Sequence, residues 1–297
     1  MQNLTPTQIF TQIAQDIPYQ YIMYKQVSLC IKRLDLIHPA ISGNKFFKLK
    51  YNLITAKNLG YEGIITFGGA YSNHIAATAY AAQLLNFKSI GIIRGEELAH
   101  QPLNPTLTTA SRMGMTLSFI SRQQYRRKDQ QDFIQQLQHD YPNFYIIPEG
   151  GTNDLAISGC KEILTPSDLV TFKTVCCAVG TGGTISGIIE ASHRHQCILG
   201  FSALKGAFLE QDVQQMTTKT NWKMTDNYCC GGYAKTTRQL LDFIKNFELE
   251  YQIPLEHIYT GKMLMGIFDL IDQNQITNND KTLIIHSGGL QGRLASI

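Results

Sequence analysis

Four short segments of this chain carry side chains and backbone able to do chemistry. Lys45 lies in Ser42-Gly43-Asn44-Lys45-Phe46-Phe47-Lys48-Leu49, at the start of a helical pattern and between small and aromatic residues. Apolar neighbours and a helix N-terminus disfavour the charged form of a lysine, and the neutral amine is the nucleophile. A solvated surface lysine is the plainer account of this residue taken alone. In Gly68-Gly69-Ala70-Tyr71-Ser72-Asn73-His74, Ser72 stands where a helix begins, either as a plain N-cap or facing a ligand. His257-Ile258-Tyr259-Thr260-Gly261-Lys262 precedes another helix and offers a phenol and a hydroxyl, with a buried Tyr and a capping Thr as the plain alternatives. Gly180-Thr181-Gly182-Gly183-Thr184 follows a strand and opens a helix. Free N–H groups, hydroxyls and a helix dipole all favour an anion there. Residue 185 is Ile, so the dinucleotide fingerprint G-x-G-x-x-G fails, and the Lys-Ser/Thr of a nucleotide P-loop is missing. The segment reads as a phosphate cradle with no nucleotide implied, and a tight strand–helix turn without a ligand is the plain alternative.

The elements that must position these groups alternate along the chain. Thr5-Pro6-Thr7-Gln8 reads as a helix start with a capping box. Strand-like runs follow at 26–31, 63–67, 88–94, 116–120, 144–148, 174–179, 197–204 and 282–286, with helical patterns between them, among them 72–85 and a polar helix near 121–139. Short buried strands separated by helices imply a mostly parallel sheet covered on both faces. Glycine pairs or clusters close four of the runs, at Gly68-Gly69, Gly150-Gly151, Gly180–Gly183 and Gly288-Gly289. Ligands of open α/β sheets bind beyond the carboxyl ends of strands, so these glycines point to one shared site.

Composition excludes several classes. The chain has 297 residues, a net charge of +3 from 26 basic and 23 acidic residues, and 43% hydrophobic residues. That predicts a large core in two domains or one large one, and no nucleic-acid partner. No apolar run reaches the length of a membrane helix, about 18 residues, and the polar first thirty residues predict no secretory signal and no membrane partner. The seven cysteines, two adjacent pairs among them, show no metal spacing. Reduced buried thiols in a cytoplasmic protein, with no metal, are the expectation.

Taken in order, G-N-K-x-x-K-L, G-G-x-x-S-N-H, G-T-G-G-T, Y-T-G-K and H-S-G-G resemble the pyridoxal-phosphate enzymes of the 1-aminocyclopropane-1-carboxylate deaminase and D-cysteine desulfhydrase family. The resemblance spans about residues 25–292. It implies an α/β fold of two three-layer domains with mostly parallel sheets, like tryptophan synthase β subunits (fold type II), with pyridoxal 5'-phosphate in the interdomain cleft. The larger domain is expected over 1–47 and 149–297 and the smaller over 48–148. By position, Lys45 is the lysine that carries the cofactor. Asn73 binds its ring hydroxyl oxygen, and Gly180, Thr181, Gly182, Gly183 and Thr184 hold its phosphate. Ser72, Asn73, His74 and Tyr259 face a small amino-acid substrate, with Lys45, Ser72 and Tyr259 catalytic. A homodimer is also implied.

Two positions sort the branches. Members resembling the deaminases carry Glu after the tyrosine and Leu before the last Gly-Gly, where this chain has Thr260 and Ser287. A carboxylate beside the pyridine nitrogen keeps it protonated; hydroxyls leave it nearer neutral. The weaker electron sink suits β-elimination, so the resemblance implies D-cysteine desulfhydrase-like chemistry giving pyruvate, ammonia and sulfide, ahead of the cyclopropane deaminase. Leu34, Tyr71 and Ala76 depart from the family pattern on the substrate side. They keep a non-catalytic cofactor-binding or sensor protein of the same fold as the alternative of another class.

Overall fold

The computed structural model describes residues 4–293. Among the described residues, ten strands form two sheets. The larger sheet holds β1 (Tyr19–Tyr24), β2 (Val27–Arg33), β7 (Thr174–Val179), β8 (Cys197–Ser202), β9 (Trp222–Thr225) and β10 (Thr282–His286), in the order β1-β2-β10-β7-β8-β9. Only the β1–β2 pair is antiparallel, and its two-residue turn uses Lys25 and Gln26 at positive φ, the twist a tight hairpin needs. The smaller sheet is all parallel, in the order β5-β4-β3-β6, from β3 (Gly63–Gly68), β4 (Lys88–Arg94), β5 (Met115–Ile120) and β6 (Phe144–Ile147).

Each sheet is the middle of three layers. Val175, Cys177 and Val179 point to one face of the larger sheet and pack on the helices Asp154–Cys160 and Gly183–Ala191. Cys176 and Ala178 point to the other, against Arg238–Tyr251 and Thr260–Asp272. The period-two alternation of a strand therefore sends the adjacent cysteines to opposite cores, and all seven thiols are free. In the smaller sheet Ile93 packs with Ile75 and Leu107 on one face, while Ile65 and Phe67 meet Tyr125, Phe133 and Ile134 on the other.

Several expectations need adjustment. Strands β1 and β9 were not anticipated; they lie at the two edges of the larger sheet and lack the long apolar runs of the central strands. The polar helix near 121–139 is two helices, Arg122–Tyr125 and Gln131–Asp140. The boundary after residue 47 falls inside the helix Asn44–Asn58, and one core cluster runs from Leu49 and Leu53 to Ile64 of the smaller sheet and Val175 of the larger. The helix start at Thr5 has the full capping box.

Candidate active site

All four glycine clusters stand at the carboxyl ends of their strands, after β3, β6, β7 and β10. The helix that carries Lys45 is pinned to this edge. Its N-cap Gly43 has φ +65°, and a Cβ there would fall 1.9 Å from the Ser287 carbonyl oxygen. Only glycine permits that approach, which lets the Asn44 N–H donate to the same carbonyl at 3.1 Å.

From this helix start the side chains reach the phosphate cradle. Asn44 Nδ2 donates to Thr184 Oγ1 at 2.9 Å, and Lys45 Nζ lies 3.5 Å from Asn44 Oδ1. Lys45 keeps some exposure, but burial of its amine draws the pKa down to about 8. Lys48, one turn on, is 1% exposed and donates to Thr152 Oγ1 at 2.7 Å and Thr181 Oγ1 at 3.2 Å. Burial first, and then the neighbouring Lys45, hold its amine down to about 7. A buried amine with hydroxyls but no carboxylate is an arrangement short of an anion. The cradle itself turns through Gly182 at φ +80° into the helix Gly183–Ala191, leaving the first N–H groups of that helix free.

Ser72 caps the helix Asn73–Leu84, its Oγ accepting the Ile75 N–H, so its proton remains to donate. Asn73 Nδ2 lies 3.4 Å from the Gly289 carbonyl, and its Oδ1 is buried without a partner. His74 is 1% exposed; its Nε2 meets Thr66 Oγ1 at 2.7 Å. Burial, then Lys45 and Lys48, push its pKa well below the usual imidazole range. The helix turns His74 inward onto Thr66, with the charges of both lysines nearby.

Tyr259 lies against the cradle, where a Cβ on Gly180 would come 2.9 Å from its ring. Burial pushes its phenol well above the ordinary range, so it stands as a proton donor. Tyr233 packs edge-on against it with ring centroids 6.1 Å apart. Ser287 is nearly buried. Thr260 is fully buried, and its hydroxyl is already engaged by Glu256.

The departures resolve differently. Leu34 lies in the core, and both basic residues before it are still paired: Lys32 Nζ meets Asp168 at 2.6 Å, and Arg33 grips Asp35 through two bonds. His286 Nδ1 adds a contact of 3.1 Å to Asp35. Ala76 is buried, whereas Tyr71 is 61% exposed beside Ser72.

Reasoning from sequence missed Lys48, Thr152 and Glu256 as parts of this constellation. Lys48 had a readable signal: three residues from Lys45 on one helix, it shares a face with it. Thr152 and Glu256 reach the site only through loops, and local spacing gives no sign of them.

The fold and this site suit an enzyme with an anionic cofactor, and three residue groups fit pyridoxal phosphate: the orphaned Asn73 oxygen, the glycine cradle and the anionless Lys48. The chain matches the family described as pyridoxal-phosphate dependent enzyme over residues 18–288, and it belongs to that family. A Thermotoga maritima protein provisionally named 1-aminocyclopropane-1-carboxylate deaminase is 28% identical over 98% of this chain and 95% of its own length. The mitochondrial bifunctional D-cysteine desulfhydrase/1-aminocyclopropane-1-carboxylate deaminase of Arabidopsis thaliana is 29% identical over 89% of this chain and 73% of its own. A crystal structure titled as an ACC deaminase homologue superposes with a TM-score of 0.78 at 25% identity, covering 97% of this chain and 95% of that one. The protein is a pyridoxal-phosphate enzyme of fold type II, similar over most of its length to proteins named for the deaminase and for D-cysteine desulfhydrase.

Proposed function

We propose that this enzyme removes a β-substituent from a small amino acid, with D-cysteine as first substrate and pyruvate, ammonia and sulfide as products. The observation that carries the reading is the pair of hydroxyl residues, Thr260 and Ser287, at the positions assigned to the ring nitrogen, where no carboxylate stands directly. Bound pyridoxal phosphate supplies an electron sink for the α-carbon. Lys45 holds it, and Lys48, Thr181, Thr184 and the N–H groups of Gly182 and Gly183 hold its phosphate. The Asn73 amide would hold the ring hydroxyl group, its unpartnered Oδ1 accepting the hydroxyl proton.

When it is not bonded to the cofactor, the Lys45 amine would take the substrate's α-proton as general base. Its depressed pKa keeps a usable neutral fraction near neutrality. Ser72 Oγ–H and the start of its helix bind the substrate carboxylate. Tyr259, held protonated, donates to the departing sulfur. The reading includes a homodimer, which light scattering measures.

The second reading is the cyclopropane deaminase, favoured by the 28% identity to the Thermotoga maritima protein of that provisional name. The deciding experiment compares sulfide and pyruvate release from D-cysteine with 2-oxobutanoate release from 1-aminocyclopropane-1-carboxylate on the purified, cofactor-loaded protein. Faster turnover of the cyclopropane acid overturns the first reading in favour of the second.

A further inference from the structure

Arg94 is a charged group to which the roles above give no task. It ends strand β4, at the same carboxyl edge as the glycine clusters. The register sets Ile93 opposite Gly68 of β3, so Arg94 stands beside Gly69. A Cβ on Gly69 would lie 3.6 Å from Arg94 Nη2, and the Gly69 carbonyl accepts the Ser72 N–H at 3.0 Å. One glycine therefore separates the guanidinium from the residue assigned to the substrate carboxylate. That contact is an ordinary one and Gly69 is not at positive φ, so neither space nor backbone demands glycine there. Its effect is to leave the guanidinium uncovered.

The guanidinium is held in place without being neutralised. Its Cζ lies 5.9 Å from the centre of the Tyr125 ring, a cation–π contact. Tyr125 is itself fixed: it is buried, packs edge-on against Phe67, and its phenol donates to Glu149 at 2.7 Å. Glu149 pairs with Lys128 at 3.2 Å, and among the described residues Arg94 forms no ion pair and no side-chain hydrogen bond. Its charge reaches across the cleft to the aromatic pair of the larger sheet. Burial pushes the Tyr233 phenol up, while the Tyr259 phenol and the Arg94 guanidinium draw it back. Tyr233 packs on Tyr259, the residue assigned to the departing group. A free guanidinium thus borders the space between the carboxylate site and the leaving-group site.

We propose that Arg94 is a specificity-determining residue, which binds an oxyanion carried at the end of the substrate's β-substituent. The inference rests on the reading that the enzyme removes a β-substituent while Ser72 holds the carboxylate. A guanidinium offers a planar fork of N–H donors to two oxygens at once, which suits a phosphate or a sulfonate. The thiol of D-cysteine is then the smallest group the site takes, and Arg94 extends the substrate class to amino acids whose leaving group is an anion. With O-phosphoserine the α-proton goes to Lys45, and the Cβ–O bond breaks with its electron pair leaving on phosphate. One water completes the sum: O-phosphoserine and water give pyruvate, ammonia and inorganic phosphate, with no oxidant or reductant consumed.

The test measures pyruvate release by the cofactor-loaded enzyme from O-phosphoserine and S-sulfocysteine, whose β-substituents end in an anion, and from β-chloroalanine, whose substituent is neutral, each as both enantiomers. The quantity read is the ratio of kcat/KM for an anionic substrate to that for β-chloroalanine. Arg94→Gln should lower this ratio about 10- to 100-fold, the loss of a charged hydrogen bond, and chiefly through KM. Arg94→Lys keeps the charge without the fork and should fall between. Arg94 is exposed, so both variants should fold. A wild-type enzyme that uses D-cysteine or β-chloroalanine but neither anionic substrate overturns the inference, as does an unchanged ratio in Arg94→Gln. A protein that releases pyruvate from none of these amino acids brings down the proposed function instead, and this inference with it.

Discussion

Lys48 Nζ donates to Thr181 Oγ1 at 3.2 Å, joining the helix that carries Lys45 to the glycine loop of the larger sheet. The residues are 133 apart in sequence, and Thr152 closes the triangle, 2.6 Å from Thr181. Replacing Lys48 by Met should weaken pyridoxal phosphate binding by about 10- to 100-fold, the loss of one charged hydrogen bond to phosphate. The same change should stabilise the cofactor-free protein, because it removes a buried amine with no anion. The sign with pH follows from the lowered pKa. Unfolding returns Lys48 from about 7 to its ordinary 10.5, so the unfolded chain binds more protons between those values. The wild-type fold should therefore gain on the variant as pH rises through that window. Thermal midpoints of both proteins across it check the prediction, and a variant less stable throughout contradicts it.

Borohydride reduction of the loaded protein should fix the cofactor to Lys45. Peptide mass mapping reads the site, and a label on Lys48 or Lys50 would reassign it. Lys45→Ala should lose the visible absorption of the bound cofactor and all elimination activity.

Capture of cofactor by the cofactor-free protein should accelerate as pH rises through about 8 and then level off, since Lys45 is depressed from 10.5 to about 8 and only its neutral amine attacks. Stopped-flow absorbance measures this. A rate still climbing toward 10.5 would mean that the amine is not depressed.

Gly182→Val tests the cradle poorly. At φ +80° an added side chain is strained, and its Cβ would also meet Val213 at 3.1 Å. A loss of about 1–2 kcal/mol in stability is expected from the backbone alone. Thr181→Val keeps the backbone and removes the hydroxyl between Lys48 and the loop. It should lower cofactor affinity, by equilibrium dialysis, with little change in melting temperature.

Asp168→Ala should destabilise the fold by about 3–5 kcal/mol, because it leaves Lys32 buried and without its carboxylate. Denaturant midpoints measure it. Activity per folded molecule should be unchanged, since the pair lies at residues that touch no part of the candidate site.

Much of this protein was legible in its sequence because the relevant physics is local. Alternation of short apolar runs with helical patterns gave the layered sheets, and glycines closing those runs marked the binding edge, since strand ends and close backbone approach depend on neighbouring residues. The motifs around Lys45, Ser72, Gly180 and Tyr259 led to the cofactor and the family for the same reason. What needed the tertiary structure was every property set by residues far apart in the chain. The edge strands β1 and β9 form because a sheet edge accepts a partner, not because their own pattern demands it. His74 faces inward because its helix packs that side on Thr66 of β3. Thr260 looked like a lone hydroxyl until the loop folded Glu256 against it. The low pKa of Lys45 and Lys48 comes from desolvation by the folded protein around them, a quantity that no segment of sequence carries by itself.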